Sequence, residues 1–206
     1  MESAGVLLHI FDNTEEPGRP WRPCTPPSWC AIYGDRMSTT LVNKQLVHLY
    51  GDGNFVSGVI LEPRRAQSEL LCGYGSDGGS MNKLCNPPGV TENCIPGCQT
   101  GSQPSWCTNT SVYDCAWSPP DLAYMLTLQT GAPYTYNELV IGTQGWLTDP
   151  AASIEAFFFS RTADEMRDKA WGAHSSLMAQ DAAADRVPVL SLDLSRLERP
   201  FAVDQR

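Results

Sequence analysis

The sequence has no apolar run near the roughly 20 residues that a membrane-spanning helix needs. Its longest uncharged apolar run in the C-terminal half is Ala156–Phe159. Basic residues are also few, since 14 Lys and Arg face 23 Asp and Glu and give a formal net charge of -9. An acidic surface repels phosphate backbones and anionic headgroups. We therefore expect no membrane insertion and no nucleic-acid partner.

Charged residues are sparse as well, at 18%, beside 42% hydrophobic residues. This balance is typical of a folded globular protein, and 206 residues suit one domain spanning 1–206. The start of the chain lacks the pattern of a signal peptide, because Glu2 is acidic and Asp12 soon interrupts the apolar run. The chain is therefore either a mature piece of a longer protein or an intracellular protein, and the cysteines must decide.

The cysteines lack the spacing of a zinc site. Structural zinc sites use two close pairs of ligands, and only Cys94 and Cys98 are that close, with no histidine nearby. We expect no metal and predict disulfides instead, with Cys24–Cys30 as a local pair and the other pairings open. The eight predicted disulfide cysteines are Cys24, Cys30, Cys72, Cys85, Cys94, Cys98, Cys107 and Cys115.

Six of the eight cysteines lie between Cys72 and Cys115, and five of them fall in the stretch at about 73–120, which is rich in Gly, Pro, Ser and Asn. A loop of this length is uncommon in a compact domain unless something holds it together. The stretch also contains a glycosylation sequon at Asn109. These features predict a disulfide-stapled insertion and an extracellular or secretory-pathway lumenal protein.

Apolar patterns outside the insertion predict an α+β fold, with a mixed or antiparallel sheet, two main helices and the long disulfide-stapled loop. One helix begins at Ser118-Pro119, and the other begins at Thr162 and presents Met166, Ala170, Ala173 and Leu177 on one face. The predicted strands are 5–11, 37–42, 45–50, 55–61, 69–74, 136–141, 154–159 and 187–194.

Two glutamates stand out as catalytic candidates. Glu138 begins an apolar run, and Glu155 lies inside a second one, where strand alternation places it with Phe157 and Phe159. If the two strands are neighbours, the carboxylates can act as the acid/base pair of a hydrolase on glycans. The alternative is that Glu155 belongs to a structural ion network with an arginine.

The segment Ser38-Thr39-Thr40, followed far downstream by Glu138, resembles the Ser-Thr-Ser and glutamate pattern of arginine-class ADP-ribosyltransferases. That family offers an arginine on its first strand, whereas this chain offers His9. The resemblance implies ADP-ribosyl transfer as a third function. No motif indicates a cofactor, because the Gly-rich stretch 73–80 lacks the Gly-Lys-Ser/Thr ending of a phosphate loop.

Tryptophans in loops near the cysteines give the leading hypothesis. Trp29, Trp106 and Trp117 either fill packed interiors or stack against sugars and anchor protein partners. Long ordered loops tend to carry function. We therefore expect a secreted or lumenal binding domain, whose ligand is a carbohydrate or a protein, and the glycan hydrolase is its rival.

Overall fold

The computed structural model describes residues 6–11, 15–16, 19–23, 36–42, 56–74, 116–117, 137–142, 148–161, 164–193 and 201–205. The strands are β1 (Val6–Ile10), β2 (Glu15–Glu16), β3 (Arg19–Pro23), β4 (Arg36–Val42), β5 (Ser57–Leu61), β6 (Leu70–Tyr74), β7 (Ala116–Trp117), β8 (Glu138–Gly142), β9 (Ile154–Ser160), β10 (Val189–Leu192) and β11 (Phe201–Val203). The helices are α1 (Pro63–Ser68), α2 (Pro150–Ser153) and α3 (Asp164–Met178), followed by a 3-10 turn (Ala182–Arg186).

Nine of the described strands form one sheet in the order β11-β10-β9-β5-β1-β4-β8-β6-β7, and β2 and β3 form a separate pair. Every neighbouring pair is antiparallel except β9 and β10, which are parallel. Helix α3 is the crossover between those two strands, as a parallel connection requires. The predicted α+β class with a mixed sheet is confirmed.

The sheet is buried on both faces at its centre, because β5 and β9 carry apolar side chains in both directions. On what we call the helix-side face, Phe157 and Phe159 pack with Ala170, Ala173 and Leu177 of α3. The buried apolar residues of the opposite face are Leu8, Val42, Val56, Ile60, Ala156, Phe158 and Leu192. Strand β9 therefore links two apolar cores.

Local capping signals explain where the helices begin. Glu62 accepts a hydrogen bond from Arg65 N at 2.8 Å, and Pro63 follows it in the first turn of α1. Asp149 accepts from Ala152 N at 3.3 Å, and Pro150 follows it in α2. Asp164 and Glu165 place negative charge in the first turn of α3, where the helix dipole favours it.

The strands predicted at 5–11, 37–42, 55–61, 69–74, 136–141, 154–159 and 187–194 are all confirmed, with ends shifted by a residue or more. The face predicted for the helix after Thr162 is also confirmed, because Ala170, Ala173 and Leu177 are buried. The predicted strand at 45–50, the helix at Ser118 and the Thr162 cap lie outside the described residues. Within the described ranges, no helix is long and apolar enough to cross a membrane.

Candidate functional site

The two glutamates predicted as a catalytic pair do not lie on neighbouring strands. Glu138 begins β8 and Glu155 lies in β9, with β4, β1 and β5 between them. Four strand spacings correspond to about 19 Å, which is far beyond the roughly 5–9.5 Å between paired glycosidase carboxylates. The condition that the two strands be neighbours is not met, and the strand order does not bring these two side chains to one cleft.

The prediction that Glu155 shares the face of Phe157 and Phe159 was wrong, because a β-bulge interrupts the alternation of β9. Ile60 pairs with Ala156 and Leu61 pairs with Ile154, so Glu155 is an extra residue in β9. The side chain of Glu155 is exposed, whereas Phe157 and Phe159 are buried. The alternation of side chains between the two faces fails at the bulge. The carboxylate of Glu155 therefore does not share the buried face of the two phenylalanines.

Glu138 is buried, with 7% of its surface exposed. Its strand partner in β6 is Tyr74, and the register of β4 with β8 brings Thr40 beside it, since Thr39 pairs with Leu139. Thr40 in turn pairs with Leu8, which belongs to the opposite face. Glu138 and Thr40 therefore share the face of the sheet that α3 does not cover.

The residues on which the resemblance to the ADP-ribosyltransferases rests lie on both faces of the sheet. Ser38, Thr40 and Glu138 lie on one face of the paired strands β4 and β8. His9 lies between Leu7 and Phe11, which pack on the helix-side face, and its ring stacks edge-on with Phe11 at 6.5 Å. The histidine is therefore on the other side of the sheet from the glutamate.

A row of buried polar side chains crosses β1, β4 and β8 on the helix-side face. His9 Nδ1 lies 2.8 Å from Ser38 O, and Thr39 donates to Leu139 O at 2.7 Å. Asn137 has no exposed surface, accepts from Leu41 N and donates to Leu41 O, each at 2.9 Å. All these bonds engage strand backbone atoms, so this polar row holds the strands in register.

The structural role of Asn137 is hard to recognise from the sequence. Its only signal is its spacing from Leu139 and Ile141, which places the three residues on one side of an extended chain. An asparagine directly before an apolar run is equally typical of a turn. The side-chain amide of Asn137 makes two hydrogen bonds to the backbone of Leu41, in place of the backbone bonds that would extend the pairing of β4 with β8.

We expect opposite effects from removing the hydroxyl of two adjacent threonines. Thr39→Val breaks the buried bond to Leu139 O and should lower the free energy of unfolding by about 1–2 kcal/mol. Thr40 Oγ1 is buried and has no hydrogen-bond partner among the described residues, so Thr40→Val should raise it by about 1 kcal/mol. Urea denaturation with an unchanged slope measures both values. A destabilised Thr40→Val would mean that its hydroxyl binds a water.

The remaining candidate region is the point where the insertion joins the sheet. Strand β6 pairs with β8 on one side and with β7 on the other, through Gly73 with Trp117 and Tyr74 with Ala116. Strand β6 thus ends at Tyr74, and the described strand β7 begins beside it at Ala116. Antiparallel neighbours lie about 4.8 Å apart, so the two ends of segment 75–115 are held together at the sheet edge.

The other predicted site residues fall mostly beyond the described ranges. Trp29, Trp106, Asn109 and seven of the eight cysteines lie outside the described residues. Cys72 lies in β6 and Trp117 in β7, so both flank the insertion on strands of the sheet. Among the residues that the structure describes, no three His, Cys, Asp or Glu side chains are grouped to hold a metal ion.

Comparison with known proteins adds no assignment. No protein-family model matches the sequence, and no curated protein matches it either.

Proposed function

We propose that the chain is a secreted or lumenal, disulfide-stabilised binding domain, in which segment 75–115 contacts a carbohydrate or protein ligand and the sheet is its scaffold. The observation that carries this proposal is the pairing of Gly73 with Trp117 and Tyr74 with Ala116. A segment whose two ends are fixed side by side on a rigid sheet is presented at one place, as binding loops are in many folds.

Composition and chemistry support the same proposal. The segment holds five of the eight cysteines and Trp106, and Trp117 follows it in β7. Disulfides within the segment would reduce its conformational freedom before a ligand binds, which lowers the entropic cost of binding. Indole rings supply large contact area at low conformational cost, for sugars and for protein partners alike.

Replacing the insertion tests the proposal. Residues 75–115 are exchanged for an Asn-Gly turn, which suits a two-residue hairpin between β6 and β7. Cys72→Ser is included, because removing five cysteines leaves an odd number. We expect a circular-dichroism spectrum that retains the sheet, together with loss of the binding that the native chain shows on a glycan array. Equal binding by both chains would place the site on the sheet and contradict the proposal.

Point variants sharpen this experiment. Trp106→Ala and Trp117→Ala should each weaken glycan binding by about tenfold or more, on the scale of an aromatic hot spot. Trp106→Phe is the matched control, because a phenyl ring keeps a stacking face and should retain part of the affinity. Unchanged binding in both alanine variants would remove these residues from the site. If the native chain binds no glycan, the carbohydrate ligand is excluded and a protein ligand remains.

The same preparations test the oxidised state of the cysteines. Alkylation of the native protein without reductant should add no label, and alkylation after reduction should add eight. Mass spectrometry counts the labels directly. Eight reactive thiols in freshly purified protein would contradict the secreted or lumenal part of the proposal.

A further inference from the structure

The C-terminal strap, which we define as residues 201–205, wraps around one edge of the sheet. Its strand β11 pairs with β10, and the amide of Asp204 donates to Val189 O at 2.8 Å. On the opposite face of the sheet, the ring of Phe201 meets that of Phe158 edge-on, with centroids 6.5 Å apart. The strap thus forms the edge strand of the sheet, and its Phe201 covers part of the apolar core on the opposite face.

Past the edge, the strap reaches helix α3 on the other side of the sheet. One oxygen of Asp204, Oδ2, accepts hydrogen bonds from Arg167 Nε at 2.8 Å and from Trp171 Nε1 at 2.7 Å. Arg167 also donates through Nη2 to Gln205 O at 3.3 Å. A single carboxylate therefore joins the end of the chain to two side chains of α3.

Besides its pairing with β10, the strap buries little side-chain surface among the described residues. Ala202, Val203 and Gln205 are exposed, with Val203 at 66%. Apolar burial in the strap is thus confined to Phe201, which is itself only partly buried. By contrast, the Asp204 bonds are charge-assisted and partly shielded, since the Asp204 side chain is 20% exposed. Among the described side chains of the strap, Asp204 thus makes the charge-assisted bonds, in addition to the backbone pairing of β11 with β10.

We propose that the C-terminal strap is a latch that opens as a unit while the rest of the sheet stays folded. The hydrogen bonds that Asp204 accepts from α3 are what holds the latch closed. Opening bares the outer edge of β10 and the ring of Phe158. Segments with few buried contacts belong to the low-stability end of a protein and open without global unfolding. This inference is independent of the binding function proposed for the insertion.

Hydrogen exchange on the full chain, followed residue by residue by NMR, tests the latch. Asp204→Ala removes the acceptor of both donors, and Asp204→Asn keeps its shape without the charge. After correction for intrinsic rates, the residue-204 amide should exchange about tenfold faster or more in the alanine variant, with the asparagine variant in between. The amide of Phe157, which donates to Pro188 O at the start of β10, should keep its native rate.

Asp193→Ala is the matched control, because it removes the same charge from a looser pair at the other end of β10. Its carboxylate lies 3.4 Å from Arg161 Nη1, whose side chain is 60% exposed. The residue-204 amide should exchange at its native rate in this variant. Equal acceleration at residues 204 and 157 in Asp204→Ala would show that the strap opens only with global unfolding, and would overturn the proposal. An unchanged rate at residue 204 would show that Asp204 does not hold the latch closed, and would also overturn it.

Discussion

Gly58→Ala is expected to lower the free energy of unfolding by about 3 kcal/mol or more, on the scale of a severely overpacked core. A Cβ at this position would overlap the carbonyl oxygen of His9 and lie 2.8 Å from Cε1 of Phe158. Neither neighbour can give way, because β1 is paired on both sides and the Phe158 ring is fully buried. Denaturant unfolding measures the loss.

Gly172→Ala is the matched control for this substitution. Gly172 is exposed in α3, and a Cβ there would meet nothing within 4 Å. Alanine favours a helix over glycine by about 1 kcal/mol, so this variant should be more stable than the native chain. The same chemical change thus has opposite signs at the two sites. A native midpoint for Gly58→Ala would show that β1 and β5 do not pack as described.

Phe157→Ala is expected to cost about 3–5 kcal/mol, a large share of the 5–15 kcal/mol that stabilises a typical domain. Phe157 has no exposed surface and lies between the paired residues Val59 and Val189. Its ring also meets His174 of α3 edge-on at 5.5 Å, so truncation leaves a cavity between sheet and helix. Thermal and urea unfolding should both show the loss.

Val203→Ala is the control for Phe157→Ala, because it also shortens an apolar strand residue. Val203 is 66% exposed, so its truncation should change stability by no more than about 0.5 kcal/mol. Similar losses from the two variants would contradict the burial of β9 between β5 and β10.

The position of the strands along the chain could be predicted, because a strand that is buried on both faces needs a local run of apolar residues. Strands β5 and β9 read as near-continuous apolar runs, and the apolar face of α3 recurs at helical spacing. The described elements that escaped prediction are short, namely α1, α2, the 3-10 turn and the strands β2, β3, β7 and β11. The two helices α1 and α2 did have a signal in the sequence, an acidic cap followed by proline, at Glu62-Pro63 and Asp149-Pro150.

The candidate site was harder to predict, because it depends on which strands meet. Strands β8 and β9 are consecutive in the chain, yet three strands separate them in the sheet. No local pattern of residues encodes that order, so the distance between Glu138 and Glu155 could not be foreseen. The bulge at Glu155 could not be predicted from the sequence for a related reason. It is defined by the register of β9 with β5, and not by the residues of β9 alone.

The pairing of β6 with β7 also bears on how this protein can vary over evolutionary time. With the ends of segment 75–115 held on adjacent strands, a change in its length adds only a small entropic cost, about 0.6 kcal/mol for each doubling. Mutations that lengthen, shorten or exchange this segment therefore place little strain on the sheet. The described sheet can therefore stay the same while the length and sequence of this segment change.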